Sequence, residues 1–353
     1  MISRERVLIA VSHREPDRLP ITFDAEKEVK DALKKHFGVP DDEGVWRSLN
    51  VDTRLVGASH HHTNIGKMPG GINVDYWGVG VGQVEYSFGT MYDICHHPLE
   101  KMETVAELDG YNWPTADEIS FEGIAAARAK NPDKAIIAYF CHGGYFTGTE
   151  MRGMERFLMD LAYNPEFAAR LIDKITGYIY PSLERLCDEA ADAFDIFYIA
   201  DDFCTASGPL ISPGMFRELI KPYLRRMAGI VHARGKRMLL HTCGSVRALL
   251  PDIIDAGVDI LEPIQTSAAG MAVEGLKADF GERLTFYGSI DLINVLSKGT
   301  PAEVRAEVLH NFRVLGAGGG FIVGPGHTYI QPDTPLENIL AMYETAYREC
   351  VYR

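Results

Sequence analysis

The chain has 353 residues, 46% of them apolar, and a formal net charge of −14. That is enough apolar sequence for a sizeable core, while acidity without any Lys/Arg run excludes nucleic acid, whose phosphates need a basic face. No run of about 18 apolar residues suggests a membrane span, and six scattered cysteines with no Cys-x-x-Cys and no apolar leader point to reduced thiols in the cytoplasm.

Strand-like apolar runs recur along the chain. They cover 18–24, 51–57, 134–140, 194–200, 237–241, 258–263, 284–289 and 320–324. Near-continuous apolar runs suit parallel strands buried on both faces. Helical patterns separate most of them. Asn164-Pro165 starts one helix and Ser212-Pro213 another, with a serine cap and a proline at the first helical position. Thr300-Pro301-Ala-Glu303 and Asp333-Thr-Pro335 start two more. Alternation on this scale predicts a single (β/α)8 TIM barrel over 1–353. The stretch 66–131 interrupts it and is too long for a simple loop. Within it, Val74 to Tyr86 reads as a β-hairpin with a glycine-rich turn, an insertion between strands two and three that covers the barrel mouth. Gly318-Gly-Gly320 precedes a strand rather than a helix, so it reads as a turn and not a phosphate loop.

Catalytic groups of such barrels come from the C-terminal ends of the strands. Those ends carry Asp24, His60 to His62, Cys141-His142, Asp201-Asp202, His241 with Cys243, Glu262 with Gln265, Asp291 and His327. The sharpest pattern is Arg237-Met-Leu-Leu-His-Thr-Cys-Gly244. Alternate strand residues face the same side, so His241 and Cys243 project together, and both are ligand types that zinc selects. His327, after the last apolar run, adds a third candidate ligand. Three protein ligands leave the open position of a catalytic zinc site. The plainer reading of the pair is a buried thiol beside a core histidine. Asp201 and Asp202 read either as a base or substrate-orienting pair or as a helix cap or salt bridge. Glu262 reads as an exchangeable fourth ligand or as a carboxylate bonded across the strand ends. His142, Gln265 and the hairpin residues Asp75, Tyr76 and Trp77 are candidates for substrate contact.

Several segments together resemble the uroporphyrinogen decarboxylase superfamily. They are Glu5 to Pro20, Asp75-Tyr-Trp-Gly78, Gly208 to Phe216 with Lys221-Pro-Tyr223, His241-Thr-Cys-Gly244, and Asp333 to Asn338. The resemblance implies a (β/α)8 barrel and leaves two chemistries. The decarboxylases use no cofactor and carry an Arg-Gln-Ala-Gly-Arg motif for a substrate rich in carboxylates. Here the segment after Pro20 reads Ile21-Thr-Phe-Asp-Ala-Glu-Lys27, without that motif. The methyltransferases hold zinc with His-x-Cys and a later Pro-Gly-Cys. His241 and Cys243 match the first two ligands, and Pro325-Gly-His327 stands at the third. A histidine there leaves zinc more positive than a second thiolate would. The expectation is a zinc methyltransferase that moves a methyl group between a corrinoid protein and a small thiol or O-methyl compound. No Asp-x-His-x-x-Gly occurs, so the corrinoid is expected on a partner protein. The alternatives are a decarboxylase of uroporphyrinogen or another small acid, and a non-catalytic ligand-binding barrel. A homodimer stays open.

Overall fold

The computed structural model describes residues 1–86 and 89–352, apart from the side chains at 86–91. Seven parallel strands form one sheet in chain order. They are β1 (Thr53–Gly57), β2 (Ala135–Tyr139), β3 (Ile196–Ala200), β4 (Arg237–His241), β5 (Ile260–Ile264), β6 (Thr285–Ile290) and β7 (Phe321–Pro325). Each agrees with a predicted apolar run to within two residues.

The first predicted strand, 18–24, is the exception. It forms isolated bridges only, Ile21 with Val323 and Arg18 with Val351. Pro20 has no N–H to give a ladder. The segment is nevertheless bonded towards both edges of the sheet. Thr22 N donates to Val323 O and Val323 N to Pro20 O, both at 2.9 Å, while Asp52 N donates to Ile21 O at 2.8 Å. Side chains reinforce the second contact. Asp52 is fully buried. It accepts from Arg6 at 2.7 Å, from Arg18 at 2.8 and 3.0 Å, and from Ile21 N at 2.9 Å.

Period-2 alternation divides each strand between two apolar layers. Ala135, Ile137, Ile196, Leu239, Ile260 and Ile322 form the inner cluster, packed on Val7 and Val11 of the helix Ser3–Val11. Ile136, Ala138, Phe197, Ile199 and Leu240 belong to the larger outer cluster with the helices. Helices start where the caps predict: Pro165–Glu189 after Asn164, and Pro301–Leu315 with a Thr300/Glu303 capping box. Ser212 Oγ accepts from Met215 N at 3.1 Å and opens a segment that runs through to His232. The Gly318–Gly320 turn has φ of 73°, 81° and 75°, a conformation that glycine alone adopts freely.

Between β1 and β2, Gly66–Met68, Ile72–Val74, Gly80–Tyr86 and Gly89–His96 form a four-stranded antiparallel sheet. Its turn differs from the predicted one. Asp75 to Val79 makes the turn, and Gly80 and Gly82 lie inside the strand Gly80–Tyr86. A Cβ at Gly80 would meet Ile72 and His96 at 2.8 Å. The glycines are there because neighbouring side chains cross over them. Among the described residues, no helix is long and apolar enough to cross a membrane.

Candidate metal centre and cavity

His241 closes β4, and its Cα partners in the sheet are Ala200 on β3 and Glu262 on β5. The register therefore sets a buried carboxylate beside a buried imidazole. Glu262 Oε2 lies 2.5 Å from His241 Nδ1, and Thr328 Oγ1 lies 3.3 Å from the same nitrogen. His241 Nε2 is thereby directed at Cys243, whose Sγ is 3.5 Å away. Asp202 joins them. Its Oδ1 is 3.7 Å from His241 Nε2 and accepts from Cys243 N at 2.7 Å. The ligand atoms of Asp202, His241 and Cys243 all lie within 4.8 Å of one another.

The loop that carries Cys243 is fixed by its neighbours. Gly244 N donates to Gln265 Oε1 at 2.9 Å. Gly244 has φ +88°, and a Cβ there would meet Thr205 O at 2.5 Å, so the residue after Cys243 has to be glycine.

Electrostatics follow from this crowding. Burial disfavours charge on His241, yet Glu262 and Cys243 outweigh it and hold its pKa well above the ordinary value. Burial raises the Cys243 thiol, but His241 and His327 outweigh that and lower it. Cys243 raises the pKa of the His327 imidazole against the opposing effect of burial. Its Nδ1 is buried and has no hydrogen-bond partner among the described residues. The His241 imidazole, the Cys243 thiol and the Asp202 carboxylate are a donor set that fits a borderline ion such as zinc, with Asp202 in the place expected for His327, which stands outside this group. A Glu–His pair behind the site is the usual outer support of such an ion.

A cavity of about 260 Å³ opens beside this corner, with Glu262, His327 and Thr328 on its wall. Asp24, Trp46, Tyr198 and Tyr287 also line it. Of these, only Asp24 was a sequence candidate. Tyr198 shares strand parity with Ile196, so a polar-tipped ring on the inner face was the available signal.

The other candidates stand elsewhere. Asp201 is one residue from Asp202 and faces the opposite way, as alternation requires. It is fully buried, accepts from Phe146 N at 2.7 Å and from the Tyr223 hydroxyl, and burial pushes its pKa up to about 7. The structure thus sets it behind the strand, where it ties two helices to β3. Gln265 is occupied with Gly244. Trp77 is buried and packs against Trp113 and Tyr178, so it is core rather than cover. Tyr76 stacks on His60 at 3.7 Å and donates to Phe140 O at 3.1 Å. Asp75 accepts from Val79 N at 2.9 Å, and burial pushes its pKa up to about 6. His142 Nδ1 lies 3.0 Å from Glu150 Oε2. Burial opposes its charge, and Glu150 overrides this to raise the pKa. Glu150 was not a sequence candidate.

A parallel sheet with chemistry gathered at the ends of its strands defines an α/β enzyme-like architecture. The chain belongs to the uroporphyrinogen decarboxylase (URO-D) family, whose profile matches residues 3–349. A methylated-thiol–coenzyme M methyltransferase of Methanosarcina mazei is 30% identical over 212 residues, 58% of this chain and 50% of that protein. A methylcobamide:CoM methyltransferase (MtaA) of Methanosarcina barkeri is 34% identical over 148 residues, 42% of this chain and 40% of that one. A uroporphyrinogen decarboxylase of Coxiella burnetii is 25% identical over 202 residues, 56% and 52% of the two chains. The chain spans about half the length of the curated relatives it matches. A solved structure, a methyltransferase from Methanosarcina mazei, shares the fold with a TM-score of 0.68 at 21% identity and covers 98% of each chain.

Proposed function

We propose that this chain is a cytoplasmic (β/α)8 barrel methyltransferase that uses zinc to move a methyl group between a corrinoid protein and a small thiol or O-methyl compound. The segment 20–22 serves as its first strand, and the sheet of residues 66–96 is an insertion at the mouth. One observation carries the reading. An imidazole and a thiol, aimed at each other and backed by Glu262, stand beside a cavity of about 260 Å³ whose wall includes Glu262. The methyltransferase relatives also match at higher identity than the decarboxylases do.

Zinc bound here would supply a Lewis acid for the sulfur or oxygen that gains or loses the methyl group. The chain's own residues do the rest. Glu262 accepts from His241 Nδ1 and so leaves Nε2 as the ligand atom. Asp202 fixes the Cys243 backbone and stays within reach as a further ligand. Asp201 is a positioning residue that holds the strand end from behind. His142, held by Glu150, and Asp75 and Tyr76 are the substrate-contact candidates of this reading. The corrinoid comes on a partner protein, since no corrinoid-binding motif is present. Against the decarboxylase alternative, the lysine and the arginine on the cavity wall, Lys30 and Arg54, already have carboxylate partners. They are not free to clamp a substrate with many acid groups.

The third ligand is tested at position 327. His327→Cys should keep zinc, because a thiolate also fits tetrahedral zinc at a bond longer by about 0.2–0.3 Å. His327→Ala should weaken zinc in a competitive chelator titration. If both variants hold zinc as tightly as the parent, His327 is not a ligand and Asp202 takes its place.

A further inference from the structure

One extra residue after β2 turns His142 onto the face that carries His241. Along β2 the partners in β3 run in step, Ile137 with Ile196 and Ala138 with Phe197. That step would set Cys141 against Ala200. Instead His142 is the bridge partner of Ala200, and Gly143 N donates to Ala200 O at 2.7 Å. An extra residue on one strand of a pair is a β-bulge, which re-aims a side chain. Ala200 is in turn the Cα partner of His241. Residues at one level of neighbouring parallel strands share a face, so the two imidazoles face the same side with their Cα atoms roughly 10 Å apart. At that level β3 contributes only the Ala200 methyl group between them. Gly143 keeps the bulge in place, since a Cβ there would overlap the Asp201 carboxylate.

The ring is also oriented. Its Nδ1 lies 3.0 Å from Glu150 Oε2, a carboxylate of the helix Gly144–Arg152. With Nδ1 taken, Nε2 is the free nitrogen. It has no hydrogen-bond partner among the described residues, and the side chain is 43% exposed. Phe146 packs against the ring at 4.7 Å. The charged groups around it are Glu150, Asp201 at the end of β3 and His241, and Asp75, whose carboxyl is itself influenced by His142. Burial opposes charge on the ring, as does His241, but Glu150 and Asp201 outweigh both and raise its pKa.

We propose that His142, positioned by Glu150, carries the proton of the methyl transfer at the metal corner. This rests on the methyltransferase reading above. When a thiol gains the methyl group, its S–H proton passes to Nε2 of the neutral imidazole, and the sulfur electron pair forms the bond to the methyl carbon. The cobalt–carbon bond of the partner's methylated corrinoid breaks. Its electron pair stays on cobalt, which goes from cobalt(III) to cobalt(I). When sulfur or oxygen loses the methyl group the same steps run backwards, and Nε2–H returns the proton to the heteroatom. His142 is the catalytic residue of this step. Glu150 acts through the ring and is a positioning residue.

Calorimetric titration of the zinc-loaded full chain with 2-mercaptoethanol, in two buffers of different ionisation enthalpy, counts the protons that thiol binding releases. His142→Gln should release more than the parent, by about half a proton or more somewhere between about pH 7 and 9, because the parent keeps the proton on the ring. Glutamine still donates to Glu150, so zinc content and thermal midpoint should stay near those of the parent. The kcat for transfer from a methylated thiol to cob(I)alamin should fall about 100-fold, the low end for a lost proton donor. Glu150→Gln keeps an acceptor for Nδ1 and removes the charge that raises the ring's pKa. Transfer to cob(I)alamin needs the protonated ring, so its rate falls as pH rises through that pKa, and the fall should move to lower pH in this variant. Equal proton release by parent and His142→Gln at every pH, an unchanged kcat, or an unmoved pH limb in Glu150→Gln would overturn the proposal. A parent chain that holds no zinc or transfers no methyl group overturns the methyltransferase reading and this proposal with it. A working parent matched by His142→Gln overturns the proposal alone.

Discussion

On the proposed zinc methyltransferase reading, Cys243→Ser and His241→Ala each remove the metal and with it methyl transfer. Loss of an outer hydrogen-bond partner already costs a metal site roughly 10–100-fold in affinity, and loss of a ligand costs more. The two variants differ in their effect on the fold. Serine keeps the size of Cys243 and leaves its N–H on Asp202, a bond of 2.7 Å. Its thermal midpoint should stay near that of the parent. Alanine at 241 leaves Glu262, which is 4% exposed, without its imidazole partner. An unpaired buried carboxylate is costly, so this variant should also melt earlier. Metal analysis after dialysis, with a melt on the same sample, separates the two effects. Full retention of zinc in both would refute these ligands.

Asp52→Ala will cause the largest loss of stability, about 3–5 kcal/mol, the usual result of removing one member of a buried ionic cluster. The buried carboxylate joins Arg6, Arg18 and Ile21 N. Those contacts hold the segment 20–22 against the residue that leads into β1. Removing them leaves two guanidiniums without their shared partner and frees one edge of the sheet. Denaturant unfolding measures this directly. A loss below about 1 kcal/mol would rank the cluster with exposed surface ion pairs.

The parts of the fold that are readable in sequence are those with a simple physical cause. Most of the seven parallel strands are buried on both faces and read as near-continuous apolar runs, β1 with Arg54 and an exposed Leu55 being the exception. The segment 18–24 looks the same by composition, but Pro20 cannot donate, and its neighbour is reached largely through the Asp52 side chain. Gly80 and Gly82 look like a turn by residue type. They serve as strand positions because Ile72 and His96 crowd Gly80 and Ile72 and Cys95 crowd Gly82, a tertiary fact that no local pattern carries. In the site, the spacing of His241 and Cys243 is legible because strand periodicity is short-range. That same periodicity separates Asp201 from Asp202. The position of Glu262 behind His241 depends on the register between β4 and β5, and the cavity walls come from segments far apart in the chain. Neither can be read from any one stretch of sequence.

The most direct measurement is the visible spectrum of cobalt. The full chain, with and without zinc, is incubated anaerobically with cob(I)alamin and a methoxyarene or a methylated thiol. The spectrum should change to that of methylcob(III)alamin only when zinc is present, and Cys243→Ser should abolish the change. An equal change in zinc-free protein would contradict the account. So would a silent cobalt spectrum in zinc-loaded protein that instead removes carboxylates from uroporphyrinogen.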